Sequence, residues 1–258
     1  MRRKLQSIID SLPALMAIII LILIWHFLSV KNVVPSYMLP KPMDVLDALV
    51  QDREILMKHA LITLEEAFYG LTIGIIIAFV IATLMDEWNF LYKALYPVMV
   101  ITQTIPTIAI APLLVLWMGF GVEPKIALVV ITTFFPIAVG LLDGYRNVDK
   151  DSVNLLRSMG AGKIKIFRHI KLPNALPHFF SGLKVSASYA IVGAVISEWL
   201  GGFEGLGVYM TRVKKAYAFD KMFAVIIVII VISLLLMKCV NILRKMVMPW
   251  ERNSVPKK

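Results

Sequence analysis

The residues that most resemble reactive machinery are Gly160-Ala161-Gly162-Lys163 and four histidines, and each tests a different chemistry. A phosphate-cradling loop needs Gly, four residues, then Gly-Lys and a hydroxyl residue to hold magnesium. Here Arg157 stands where the first glycine belongs and Ile164 replaces the hydroxyl, so the chain lacks a nucleotide site of that kind. His26, His59, His169 and His178 share no metal-ligand spacing, and no serine sits in a nucleophile-elbow pattern. The lone Cys239 rules out an intrachain disulfide and a cysteine metal site. We therefore expect no catalytic residue, no metal and no cofactor in this chain.

What remains is polar chemistry inside apolar sequence. Thr102, Gln103 and Thr104 lie just before Pro106, and Ser186, Ser188 and Tyr189 interrupt a later apolar run. Such groups either line a path for a polar solute or hydrogen-bond between helices, and both readings stay open here. Glu65, Glu66, Asp86, Glu87 and Asp143 fall at the ends of apolar runs, where solvated helix ends are expected. Glu198, beside Trp199, adds the possibility of a carboxylate facing an external vestibule. A carrier driven by protons or sodium, the main rival reading, would place its ionisable groups at the bilayer midplane, and no such group stands out.

The elements that must position these residues are membrane spans. The chain is 59% hydrophobic and only 17% charged, with mean hydropathy +0.79, more apolar surface than a soluble domain of this size buries. Six uncharged or nearly uncharged runs qualify as transmembrane helices: 13–30, 63–85, 94–118, 125–143, 182–200 and 222–242. The fold class expected is an all-α polytopic membrane protein forming a single transmembrane domain over 1–258. The basic N-terminus Met1-Arg2-Arg3-Lys4 resembles a secretory leader, but no small-residue cleavage site follows, so 13–30 is read as the first span.

With the N-terminus inside, cytoplasmic segments hold 18 of the 27 Lys and Arg, and both termini are cytoplasmic. The net charge of +10 then reflects orientation in the membrane, and no nucleic-acid partner is expected. The external segment 31–60 should form an interfacial helix with Val45, Leu46, Leu49 and Val50 on its apolar face. The third span carries Pro97, Pro106 and Pro112 and cannot be straight. Gly70/Gly74 and Gly140/Gly144 are Gly-x-x-x-Gly pairs, expected to allow close helix packing within the subunit.

The cytoplasmic loop 144–181 is far longer than a connection between neighbouring helices needs. Asp151 or Ser152 is expected to cap a short helix with Val153, Leu156 and Met159 on one face, stopped by a left-handed Gly160. A second short helix should follow, with Ile164, Phe167 and Ile170 recurring between basic residues, until Leu172-Pro173 ends it. An apolar stripe under the membrane suits either the lipid interface or a groove on a partner.

Gly160, followed by nine residues and then Ile170-Lys171-Leu172-Pro173, resembles the loop signature of membrane subunits of ATP-binding-cassette importers that work with a separate binding protein. The Glu-Ala-Ala that opens the family's signature is replaced by Asn154-Leu155-Leu156. Leu39-Pro40-Lys41-Pro42, the Ile105-Pro106 pair, Ser197-Glu198-Trp199-Leu200-Gly201-Gly202 and Gly205-Leu206-Gly207 look like the branch that imports sulfonates, taurine, nitrate or thiamine pyrimidine precursors. The resemblance implies six helices, a second permease subunit (a homodimer before a heterodimer), cytoplasmic ATPase subunits that bind ATP and magnesium, and an extracytoplasmic binding protein. It also implies the cytoplasmic membrane of a prokaryote. Asn154, Arg157, Ser158, Met159 and Gly160 would form the ATPase-coupling surface, supported by Ile170, Leu172 and Pro173. The translocation path would include Thr102, Gln103, Thr104, Pro106, Ser186, Ser188, Tyr189 and Glu198. No span offers a buried arginine to pair with an anion, which favours a neutral thiamine pyrimidine precursor over sulfonate, taurine or nitrate.

Overall fold

The computed structural model describes residues 2–35 and 37–250, with side chains described from Leu12 onward; the basic residues expected at both extreme tips lie outside the described side chains. All the regular structure described is helical. The elements are α1 (Arg2–Val30), α2 (Pro42–Gln51), α3 (Arg53–Glu87), α4 (Asn89–Thr104), α5 (Thr107–Met118), α6 (Glu123–Arg146), α7 (Lys150–Ser158), α8 (Lys163–Ile166), a π-helical turn (Phe167–Lys171), α9 (Leu172–Gly201), α10 (Leu206–Lys215) and α11 (Phe219–Val247). Five helices are long and apolar enough to cross a membrane, and α4 with α5 adds a sixth crossing if the bent pair is one span. Side chains such as Leu21, Leu23, Ile76 and Leu234 are more than half exposed, as lipid-facing positions must be.

The chain forms two compact units. One comprises the chain up to Lys58 with Tyr209–Val228. Its core is Val45, Ala48 and Ala224 with Trp25, Leu49, Phe223 and Ile227 packed around them. Trp25 stacks on Phe223 at 5.6 Å and donates its indole N–H to the Pro40 carbonyl. Of the face expected on α2, Val45 and Leu49 turn inward, whereas Leu46 and Val50 are exposed and Ala48 takes their place. Asp52 accepts from the Tyr209 hydroxyl and pairs with Lys221 at 2.8 Å. Burial raises the Asp52 carboxyl, but these two donors outweigh it and hold it below the usual carboxylate range. Burial and the same carboxylate push the Tyr209 hydroxyl well above its ordinary value.

The second unit contains His59–Val208 and the chain from Ile229 on. Its centre is the pairing of α6 with α9, against which α3 and α5 pack. The glycine pairs make this possible. A methyl on Gly70 would lie 2.4 Å from the Val129 Cβ, and one on Gly144 would lie 2.3 Å from the Ala175 Cα, so backbones meet within the subunit. At 35 residues, α3 is roughly 52 Å long, well beyond a hydrocarbon core of about 30 Å. Its ends therefore emerge from the apolar layer, which is why it carries Glu54 at one end and Asp86 and Glu87 at the other.

Proline acts differently at its several positions. Pro97 and Pro112 are absorbed inside α4 and α5, and only Pro106 breaks the chain, with Ile105 and Pro106 extended and a bend of 102° between the two helices. The expected stop at Leu172-Pro173 is not observed. The helix runs on from Lys163 to Gly201, because the π-helical turn widens the backbone just before Pro173, which has no N–H to give and whose ring crowds the preceding carbonyls. The fifth span therefore continues back into the loop, and only 147–162 stands apart from the long helices.

Candidate functional site

The segment 147–162 is one capped helix and one turn. Asp149, rather than Asp151 or Ser152, is the cap: its carboxylate accepts from the backbone N–H of Asp151 and Ser152 and from the Ser152 hydroxyl at 2.6 Å. The Ser152 hydroxyl and those N–H groups hold the Asp149 carboxyl below the usual range. At the other end Gly160 has φ +79°, a left-handed stop, and Gly160 N–H and Ala161 N–H return to the Arg157 and Leu156 carbonyls. No residue of α7 is buried. Val153 and Leu156 are half-buried, but Met159, expected on the same face, is 76% exposed, and Leu155 is exposed with it. Asn154, Arg157 and Ser158 complete this outward surface.

After the turn, Ile164 is exposed and Ile166 is the buried residue, so the expected three-residue stripe fails at its first member. Phe167, against Tyr145 at 5.4 Å, is half-buried, as are Ile170, Leu172 and Pro173. The acids at the end of α3 are not simply solvated. Lys171 Nζ donates to Asp86 at 2.7 Å and Lys163 Nζ to Glu87 at 2.5 Å.

The second candidate lies at the α4–α5 break. A cleft of roughly 290 Å³ is lined by Thr102, Gln103, Pro106, Thr107, Thr132 and Tyr189 on its polar side, with Ile105, Ile110, Ile131, Val192 and Ile196 forming apolar walls. None of the residues that line it is ionisable at neutral pH. The Thr102 and Thr132 hydroxyls donate to carbonyls of their own helices, which leaves their oxygens as acceptors. Thr102, Gln103, Pro106 and Tyr189 are thus brought together. Thr104, Ser186 and Ser188 are not among the lining residues: Thr104 donates to Ile101, and Ser186 is buried and donates to the Thr133 carbonyl on α6.

Glu198 departs furthest from expectation. It is 1% exposed, so it neither lines the cleft nor faces a vestibule. Its carboxylate accepts from the Thr63 hydroxyl at 2.6 Å and from the Gly207 N–H at 2.5 Å. Thr63 also accepts from Leu206 N–H, and His59 Nδ1 accepts from Gly205 N–H. Glu66, expected at a solvated end, is likewise buried and accepts from Lys125 Nζ at 2.6 Å, while Glu65 stays exposed. Residues from α3, α6 and α9 so converge on the Gly205–Gly207 turn. The one sequence signal was Ser197-Glu198-Trp199-Leu200-Gly201-Gly202 followed by Gly205-Leu206-Gly207; nothing local marked Lys125 or Glu66 as partners.

A polytopic helical protein with a span broken beside an uncharged polar cleft, and a capped helix held outside the apolar layer, is built as the membrane subunit of a transporter. The chain belongs to the family of binding-protein-dependent transport system inner membrane components, whose model matches residues 70–253. It is 36% identical over 228 residues to a probable ABC transporter permease protein of Haemophilus influenzae, covering 88% of this chain and 93% of that one. It is 33% identical over 255 residues to the formylaminopyrimidine transport permease protein ThiX of Halalkalibacterium halodurans, covering 98% of this chain and 100% of that one. In fold it resembles a crystal structure of an amino acid ABC transporter with histidines, with a TM-score of 0.63 at 17% identity over 76% of this chain and 96% of the other. The chain is an ABC importer permease subunit, and the ion-coupled carrier is set aside.

Proposed function

We propose that the subunit conducts a small neutral heterocycle of the formylaminopyrimidine kind across the cytoplasmic membrane, driven by an ATPase docked on α7. The observation that carries the docking half is α7 itself, a capped helix with no buried residue whose Leu155 and Met159 are exposed beside Arg157 and Ser158. A soluble loop gains nothing by holding such a surface rigid; a partner groove does. Asn154, Arg157, Ser158, Met159 and Gly160 form the docking surface, and Ile170, Leu172 and Pro173 fix its base. Nucleotide and magnesium belong to the ATPase, and solute arrives on an external binding protein. Two copies of this chain form the path, with both termini on the ATPase side.

The solute half rests on the cleft. Sulfonate, taurine or nitrate would gain from a Lys or Arg there, since charge-assisted bonds are roughly twice as strong as neutral ones, and the lining provides none. The Gln103 amide, threonine lone pairs and the half-exposed Tyr189 ring suit a flat, neutral, hydrogen-bonding solute, and the full-length relative named for formylaminopyrimidine transport agrees.

Mild-detergent purification of the native complex tests both halves. The expected result is co-purification of an ATPase with a complete phosphate-binding loop, lost on Gly160→Pro or Met159→Glu, and a binding protein whose solute is a pyrimidine by mass spectrometry. Retention of the ATPase by both variants overturns the docking assignment. A sulfonate on the binding protein overturns the solute.

A further inference from the structure

The cytoplasmic docking surface must move membrane helices, and α7 has no buried residue, with only Ser152, Val153 and Leu156 half-buried. After Gly160, Ala161 and Gly162 the chain continues as the long helix that begins at Lys163. Two lysines of that helix reach the same place. Lys171, 28% exposed, donates at 2.7 Å to Asp86, which is 10% exposed; Lys163, 84% exposed, donates to Glu87. Asp86 and Glu87 are the last two residues of α3; Lys163 opens the helix four residues before the π-helical turn, and Lys171 is the last residue of that turn. Thr83, one turn earlier on α3, meets the buried Tyr145 hydroxyl of α6 at 3.4 Å, and the Tyr145 ring lies on Phe167 inside the π-helical turn.

We infer that the Asp86–Lys171 pair, seconded by Glu87–Lys163, is a strut that carries the displacement of the docking helix to α3. The inference rests on the docking role given to α7. The inner pair bears most of the load, because it is largely shielded from water, whereas an exposed pair such as Glu87–Lys163 is weak and screened by salt. An ion pair suits a strut because its attraction persists over small rotations that would unseat a shape-fitted apolar contact, and because it pulls as well as pushes. Asp86 and Lys171 are positioning residues and touch neither solute nor nucleotide.

Coupling between two sites is reciprocal, so a strut that carries ATPase closure to the spans also lets the spans regulate the ATPase. The test uses the whole complex in vesicles and reads ATP hydrolysis with and without the co-purified binding protein, together with uptake of a labelled formylaminopyrimidine. Asp86→Lys and Lys171→Asp should retain the ATPase and its basal hydrolysis while stimulation by the binding protein falls roughly tenfold, within the roughly 5–150-fold range typical of coupling between two sites. The Asp86→Lys/Lys171→Asp exchange should restore stimulation to within about twofold of wild type. Asp86→Asn, a milder change, keeps the comparison alive should a reversal prevent assembly, and it should also lose stimulation. Assembled single variants with wild-type stimulation, or an assembled exchange variant no better than the singles, would overturn the strut. Met159→Glu in the same assay separates the two claims: if it leaves stimulation intact the docking role itself falls, and if it abolishes stimulation while the Asp86 and Lys171 variants do not, only the strut is wrong.

Discussion

Three residues show how local and distant physics divide this protein. Gly160 sits at φ +79°, where an L side chain costs about 1–2 kcal/mol and proline, locked near −65°, has no place at all. Gly160→Pro should therefore leave insertion and expression intact while abolishing transport, read as vesicle uptake beside a membrane-fraction blot. Asp149 has its carboxyl depressed by its capping bonds. A depressed carboxyl adds stability above its unfolded pKa of about 3.9 and loses it as pH falls through the folded value, so ATPase capture by wild type should approach that of Asp149→Ala only below about pH 4. Lys125→Met leaves the Glu66 carboxylate buried without its cation and should cost about 3–5 kcal/mol, seen as a lowered Tm in detergent. Lys125→Met with Glu66→Leu should recover most of it. Gly160 was legible in the sequence because a helix stop is written within a few residues. Lys125, Glu66 and Glu198 were not, because their partners lie far along the chain, and a charge near the end of an apolar run reads as solvated until a fold brings another charge to it.

At the scale of elements, hydropathy located the apolar runs because lipid imposes a length and composition that few other settings share. It did not show where a run bends. Pro97, Pro106 and Pro112 look alike in sequence, and only Pro106 breaks the chain, having Ile105 in extended backbone before it. Pro173 looked like a stop and instead sits in the first turn of α9, directly after a π-helical turn, a device with no sequence mark of its own. The glycine pairs were more informative, since close approach is what small residues permit. Gly144→Ala would set a methyl 2.3 Å from the Ala175 Cα, and backbone there cannot give way as a side chain would. Separation of α6 from α9 should cost about 1–3 kcal/mol, detectable as a lowered Tm with loss of uptake.

For the molecule in its membrane, the excess of basic residues in 144–184 carries an orientation that surface labelling can check. Met159→Cys, in a Cys239→Ala background, should react with a membrane-impermeant maleimide in inverted vesicles and not in intact cells, because Met159 is 76% exposed on the face assigned to the ATPase. The reverse pattern would invert the topology. The cleft at the α4–α5 break was anticipated in its proline and its polar neighbours, but its lack of charge is a property of four helices together, α4, α5, α6 and α9, and belongs to no single stretch of sequence.

The Glu66–Lys125 pair also bears on how the protein is made. Ribosomes deliver α3 well before α6, so Glu66 enters the membrane region ahead of the lysine that will match it. At 35 residues, α3 has slack to sit with Glu66 nearer the headgroups and to slide inward once Lys125 emerges. Until α6 follows, Glu66 has no Lys125 to pair with, and the final position of α3 is matched by a charge that the chain supplies 59 residues later.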